Sequence, residues 1–363
     1  MIPEGLRQRL EAWLLRVWFR QTRGADRLPA LLLAPLALPL SWLVAALARR
    51  RSRTIPRTLP GSPPPAVIIV GNLVVGGSGK TPMVLALCRQ LRERGLKVGL
   101  LARGYRTADE APRLVDAGTP VAVAGDEALL LASQSGCPVA VSPRRKAALD
   151  LLTRTHPELD VVISDDGLQH VALPRRLELV LMHPLGLGNG HCLPAGPLRE
   201  PASRLASVDA LLLPGQMAPA ARQALPPTTS GRPHAFDTRT RTTAIRSLDG
   251  SQRWLPADFV ARHRGQTLAA VAGISRPERF FDTLRTLGLD IVAHPLADHA
   301  PISAAWLASL PQPQIIMTAK DAVKCQAFDA ALRQRCRVLD IEAEPEPALL
   351  EWLIAELAPP PRS

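Results

Sequence analysis

The 363-residue chain has too few cysteines, too widely scattered, to be held by a disulfide framework or to carry a zinc site: Cys88, Cys137, Cys192, Cys325 and Cys336 form no C-x-x-C pair and no even set. A reducing compartment is the simplest setting. Aromatic residues are also scarce, at 4%, so the basic stretches are fused to aliphatic residues and lack the stacking platforms of a nucleic-acid binder; no nucleic acid is expected as a partner. No small-residue cleavage site follows the first apolar run, and the stretch before it is too long for a secretory signal. Disorder is excluded as well. With 47% hydrophobic and 21% charged residues, the chain can bury a sizeable core and is long enough for two domains.

What the chain does have is an uneven excess of positive charge. Of the formal +12, a surplus of eight lies in residues 1–60, where eleven arginines face Glu4, Glu11 and Asp26. Between two arginine clusters runs the apolar segment 28–48, about as long as a hydrocarbon core requires if helical. Pro29, Pro35 and Pro39 are expected to break or kink a single straight helix, and arginines on both flanks give no preferred orientation. The reading is therefore a segment that enters one leaflet or lies in its interface, with Trp13, Trp18 and Trp42 as interfacial anchors and the arginines facing anionic lipid heads. A buried hairpin capped by solvated arginines is the alternative.

Beyond the linker-like 61–65, strands and helices alternate. The apolar run Ala66–Val70 is followed by G-N-L-V-V-G-G-S-G-K-T-P (71–82). A helical pattern then has Pro82 in its first turn and Gly95 at its end. Further runs at 98–101, 139–141, 161–164, 179–182 and 210–213 predict an open, mostly parallel α/β sheet. Strand, glycine-rich loop, Lys-Thr and helix is the arrangement of a P-loop, in which backbone amides cradle phosphates, Lys80 neutralises them and the Thr81 hydroxyl binds a metal. Val74 occupies the first position of G-x-x-x-x-G-K-[ST], where a glycine belongs, and Gly76 and Gly77 are expected to supply the curvature. The run 159–164 delivers Asp165 and Asp166 to the carboxyl edge of the sheet, where open α/β sheets bind ligands; one can hold Mg²⁺ while the other orients it. Paired Asp before Gly is also ordinary turn chemistry.

Together these segments resemble the tetraacyldisaccharide 4′-kinase family. The resemblance is carried by the N-terminal Trp/Arg/apolar segment, the loop 71–82, A-R-G-Y (102–105), G-D-E (125–127), S-P-R-R (142–145), D-D-G-L-Q-H (165–170), G-N-G-H-C-L-P-A-G-P-L-R-E (188–200), D-H (298–299) and T-A-K-D-A-V-K (318–324). Two positions depart from the family pattern, Arg106 and Ala300. The resemblance implies transfer of the γ-phosphoryl group of ATP, with Mg²⁺, to the 4′-hydroxyl of a tetraacyldisaccharide 1-phosphate lipid, giving lipid IVA at the cytoplasmic face of a Gram-negative inner membrane rich in anionic lipids. It implies a nucleotide loop of Val74, Val75, Gly76, Gly77, Ser78, Gly79, Lys80 and Thr81. The metal falls to Thr81, Asp165, Asp166 and Glu200, and phosphate or substrate contacts to Arg145, Arg199, Gln169 and His170. Asp126 is the base, with Asp298 and His299 beside it and Lys80 as the catalytic cation. Asp126 also reads as an ordinary first-turn acid of a helix.

The expected organisation is a membrane-associated segment 1–60, a P-loop domain 61–235 and a smaller α/β domain 236–363, joined through a hairpin about Asp249-Gly250. Thr318-Ala-Lys-Asp321 places its lysine one position too late for a guanine-reading motif, which favours ATP over GTP. Two other readings stand at this point: a membrane-recruited ATPase switch, which turns over without a lipid acceptor, and an interaction protein with a decayed loop, which binds no nucleotide.

Overall fold

A computed structural model of the chain describes residue 10 and residues 13–19, 24–59, 63, 65–77, 79–104, 110–225 and 231–358. The apolar N-terminal segment is one unbroken helix, α1 (Gly24–Ser52), with Pro29, Pro35 and Pro39 inside it. The expectation that the prolines break it is thereby corrected. Each proline removes a single donor, four or more residues from the next, and the Leu- and Ala-rich rungs between them remain. Leu31–Ser52, 22 residues, is long and apolar enough to cross a membrane by length and composition. Ser41 and Ala45 are buried against the body of the protein, whereas Leu31, Leu32, Leu36, Trp42 and Leu43 are exposed.

The strands are β1 (Ala66–Gly71), β2 (Val98–Ala102), β3 (Arg113–Val115), β4 (Val139–Val141), β5 (Val161–Asp165), β6 (Leu177–Leu181), β7 (Ala210–Pro214), β8 (His234–Ser247), β9 (Arg253–Trp254), β10 (Thr267–Ala272), β11 (Asp290–Pro295), β12 (Ile315–Thr318) and β13 (Cys336–Pro345). They form one sheet in the order β11-β10-β12-β13-β8-β7-β6-β1-β5-β2-β4-β3, with β9 paired to β8 as the second arm of the expected hairpin. Alternation explains the layers. Ile68 and Val70 of β1 enter a cluster that includes α2 (Lys80–Glu93) and α3 (Asp126–Ser135), whereas Val67 and Ile69 enter another with α4 (Arg145–Thr155). In β10, Ala269 and Val271 face one cluster and Leu268 and Ala270 the other, with α5 (Pro277–Thr286) on the latter side.

The long antiparallel pair β8/β13 reverses strand direction between the two halves, each of which is mainly parallel. Six strand steps separate β1 from β10. At roughly 20–25° of twist per step they accumulate to roughly 120–150°, which offsets most of that reversal. The loops after β1 and β10 consequently meet: a Cβ on Gly77 would lie 3.3 Å from Ser275 Oγ.

Candidate active site

The loop after β1 is tied down from inside. Asn72 is buried; its Nδ2 donates to the carbonyl of Val74 (2.6 Å) and its Oδ1 accepts from Lys80 Nζ (3.2 Å). Val74 bridges to Leu198, and Val75 N–H donates to the Pro197 carbonyl at 2.9 Å. The segment 188–200 thus holds the start of the loop by backbone pairing, which leaves no call for a glycine at Val74. Curvature comes later, where Gly76 (φ 103°) and Gly79 (φ 83°) take conformations that cost a side chain strain. Gly79 precedes α2 and leaves the helix N-terminus, with Lys80 and Thr81, aimed at the loop. Ser78, Tyr105 and Arg106 lie outside the described residues.

β5 delivers two carboxylates with opposite characters. Asp165 is buried; Thr81 Oγ1 donates to its Oδ2 at 2.9 Å, while Oδ1 has no partner. Burial, and then the Glu127 charge, push its pKa up to about 7 against the pull of Lys80. Asp166, at φ 49°, meets Arg199 at 2.9 Å and Lys80 at 3.5 Å. Burial raises its pKa, but Lys80 and Arg199 outweigh that and hold it at about 2.

Arg199 also donates to Gln169 Oε1 (3.2 Å), and Gln169 Nε2 donates to Glu200 Oε1 (2.8 Å). Glu200 is buried beside Arg204, and that burial raises its pKa. Arg145 is buried behind the site, donating to the carbonyls of Ser142 and Asp165, and burial lowers its pKa to about 10. Burial, then Arg145 and Arg103, lower His170 to about 4, so it is neutral at pH 7.

An unpaired, fully enclosed carboxylate oxygen beside a threonine hydroxyl fits a hard dication with oxygen ligands, which brings most of its remaining ligands as water and phosphate. No group of three or more His, Cys, Asp or Glu side chains that could hold a metal ion exists among the described residues, so Asp165, Asp166 and Glu200 do not together form one.

The same burial makes a stability prediction. A folded pKa near 7 means that the fold prefers the protonated acid, so ionisation costs stability, beginning above the unfolded value near 4 and complete above about 7. Asp165→Asn removes that cost. In chelator at pH 8 the variant is expected to melt several degrees above wild type, the gap narrowing as pH falls toward 4, read by a thermal melt. Equal gaps at both ends would contradict it.

In the second cluster, Asp126 is the first residue of α3, preceded by Gly125 (φ 79°). Its two carboxylate oxygens each lie 2.9 Å from His299 Nδ1, on the loop after β11. His299 Nε2 faces Lys320 Nζ at 3.2 Å, in the short helix α6 (Ala319–Ala322). Lys320 also binds Glu127 (3.1 Å) and Asp298 (3.2 Å), Ser275 donates to Asp298 (2.9 Å), and Lys324 lies 3.7 Å from Asp126. Burial raises the Asp126 pKa, but the His299 hydrogen bond and the Lys320 and Lys324 charges prevail and lower it below the ordinary carboxylate range. His299 itself sits at φ 60°, a strained backbone for a residue other than glycine.

Every predicted site residue that is described falls in one of these two clusters, and Glu127, paired with Lys320 and acting on Asp165, stands between them. Sequence reasoning quoted the segments that hold Asn72, Glu127, Lys320 and Lys324 without giving those residues a role, and missed Ser275 and Arg204. The i, i+4 spacing of Lys320 and Lys324 was the available signal for that pair.

The comparisons with known proteins agree with one another. The sequence profile of the Tetraacyldisaccharide-1-P 4′-kinase family matches residues 33–358. The Tetraacyldisaccharide 4′-kinase of Dechloromonas aromatica is 44% identical over 349 residues, 96% of this chain and 98% of its own. That of Ectopseudomonas mendocina is 43% identical over 352 residues, 95% and 96% of the two chains. Among solved structures, LpxK from Aquifex aeolicus in complex with ATP is 25% identical, with a TM-score of 0.69 over 88% of this chain and 98% of that one.

Proposed function

The chain belongs to the tetraacyldisaccharide-1-P 4′-kinase family, and from that premise we propose that it transfers the γ-phosphoryl group of ATP to the 4′-hydroxyl of a tetraacyldisaccharide 1-phosphate, with the two clusters as the halves of one active site. The observation that carries this reading is the Asp126–His299 pair, joined at 2.9 Å between residues 173 positions apart and linked to the phosphate-loop cluster through Glu127.

Phosphoryl transfer asks mainly for positioning and charge neutralisation. Lys80 exchanges its contacts with Asp166 and Asn72 for the β- and γ-phosphate oxygens, while the loop amides and the α2 N-terminus hold the same charge. Arg199 stays beside Asp166 and presents its remaining donors to phosphate, and Arg145 supports the Asp165 carbonyl from behind. Thr81 and Asp165, with Asp166 and Glu200 beside them, would hold Mg²⁺, which when bound would supply neutralisation of the charge on the transferred group. Asp126 accepts the proton of the sugar hydroxyl. His299 Nε2 already faces the Lys320 ammonium, so the proton goes to the Asp126 carboxylate, whose lone pairs accept beside the His299 bond, and His299 with Lys320 stabilises its ionised form. Residues 61–235 and 236–363 then act as two units that close on the nucleotide, with the lipid hydroxyl entering between them.

Turnover tests this reading against a nucleotide-driven switch. Purified protein with ATP in detergent micelles is expected to release little phosphate until tetraacyldisaccharide 1-phosphate is added. ATP hydrolysis independent of the lipid would support the switch instead.

The N-terminal segment supplies the membrane contact in this reading: the exposed apolar face of α1 enters the cytoplasmic leaflet and its arginines meet anionic lipid heads. Arg57, just past the helix, pairs with Glu178 and Asp209 at 2.6 Å each, anchoring the segment to the body. Deleting residues 1–52 spares those pairs. The deletion is expected to move the protein from membrane pellet to supernatant and to raise the KM for lipid about tenfold with the KM for ATP nearly unchanged. Equal increases in both would point to a folding role.

A further inference from the structure

One pair of groups has no part in phosphoryl transfer. Cys88 lies in the middle of α2, fully enclosed, and Cys137 follows the C-terminal end of α3, half-buried. Their sulfurs are 3.0 Å apart. We propose that this pair is a peroxide-oxidisable dithiol whose bond staples α2 to α3, the two helices that carry Lys80 and Asp126 at their N-termini.

The surroundings give the two sulfurs different tasks. Arg92, one turn beyond Cys88, donates to the Ser135 carbonyl at 2.7 Å, and a Cβ on Gly136 would lie 3.0 Å from its Nη1, so the guanidinium stands beside the Cys137 turn. The hydrogen bond from Cys88, against burial, together with the Arg92 charge lowers the Cys137 pKa, while its bond to Cys137 and burial push Cys88 up. Cys137, half-buried, is the more readily ionised thiol and so the attacking one, and Cys88 is the enclosed resolving thiol. The other three thiols are shut away: Cys192, Cys325 and Cys336 are buried, and burial pushes Cys325 to about 12 and Cys336 to about 11.

The Cys137 thiolate attacks one oxygen of hydrogen peroxide; the O–O bond breaks, hydroxide leaves and takes a proton as water, and Cys137 becomes a sulfenic acid. Cys88 gives up its proton and attacks the Cys137 sulfur. The S–O bond breaks and the hydroxyl departs as a second water. The two thiols have lost two hydrogens, and one peroxide has become two waters. Because the sulfurs are already in contact, bond formation needs an approach of only about 1 Å. The oxidised enzyme therefore keeps its activity, and closing a loop of roughly 50 residues stabilises the fold.

Full-length protein in detergent, treated with a small excess of hydrogen peroxide, is expected to lose two hydrogens in intact mass. Peptide mapping is expected to join Cys88 to Cys137, and dithiothreitol to reverse the change. The oxidised form is expected to melt about 5 °C or more above the reduced one and to keep its turnover within about twofold. Cys137→Ser and Cys88→Ser are each expected to show neither the mass loss nor the rise in Tm. Oxygen addition at Cys137 without a cross-link, a bond through another cysteine, or a bonded protein that melts with the reduced one would overturn the proposal; in wild type these readouts hold even where a variant folds poorly.

Discussion

Replacing Lys80 with alanine lowers kcat by roughly a thousandfold, about 4 kcal/mol of transition-state stabilisation, with the fold intact. The ammonium sits 3.5 Å from Asp166 and 3.2 Å from Asn72 Oδ1, where the loop and the end of β5 converge. Its loss removes the one lysine among the described residues that reaches into the loop, at the point where negative charge spreads over the transferred group. Stability is expected to change little, because Arg199 remains on Asp166 at 2.9 Å and neutralises the carboxylate that Lys80 leaves behind. Circular dichroism checks the fold and a single-turnover assay the rate. Wild-type turnover in a folded variant would remove the loop from the mechanism.

Asp126→Ala and His299→Ala are each expected to lower kcat by about a thousandfold with little change in ATP affinity, and the double variant to lose barely more than either single one. Both residues act on one proton transfer, and each leaves the other purposeless. Strictly additive losses would separate them. A pH profile adds a sign. In wild type, the His299 hydrogen bond and the nearby lysines hold Asp126 ionised below the ordinary carboxylate range. Without His299, the largest opposition to burial is lost and Lys320, Lys324 and the Glu127 N–H remain, so the Asp126 pKa rises. The residual activity of His299→Ala should therefore fall away at higher pH on acidification than that of wild type. A limb that stays in place would assign the titration to another group.

The elements legible in the sequence were those that follow from local pattern. Apolar runs marked β1, β2, β4, β5, β6 and β7, and the helix after Lys80 gives way to Gly95 (φ 85°), where a C-terminal cap was expected. Asp165 and Asp166 stand at the carboxyl end of β5 because an apolar run delivered them there. Three features were not legible, two of them because they needed tertiary information. The proline count in α1 argued for a break, yet isolated missing donors leave the helix whole. Val74 broke the loop pattern, and its backbone pairing with Leu198 depends on a segment more than a hundred residues away. Lys320 and Lys324 gain meaning only when the β8/β13 reversal and the sheet twist carry α6 to the Asp126 end of α3, a register no local periodicity encodes.

The central claim is that a phosphoryl group passes from ATP to one hydroxyl of a lipid held in this cleft. Phosphorus NMR of the lipid recovered after reaction of the full-length protein with ATP, Mg²⁺ and tetraacyldisaccharide 1-phosphate tests it most directly. The account predicts a second phosphomonoester resonance, coupled to the proton on the 4′ carbon and absent with Lys80→Ala or Asp126→Ala. A spectrum with the 1-phosphate alone beside free inorganic phosphate, or with the new ester on another carbon, would contradict it.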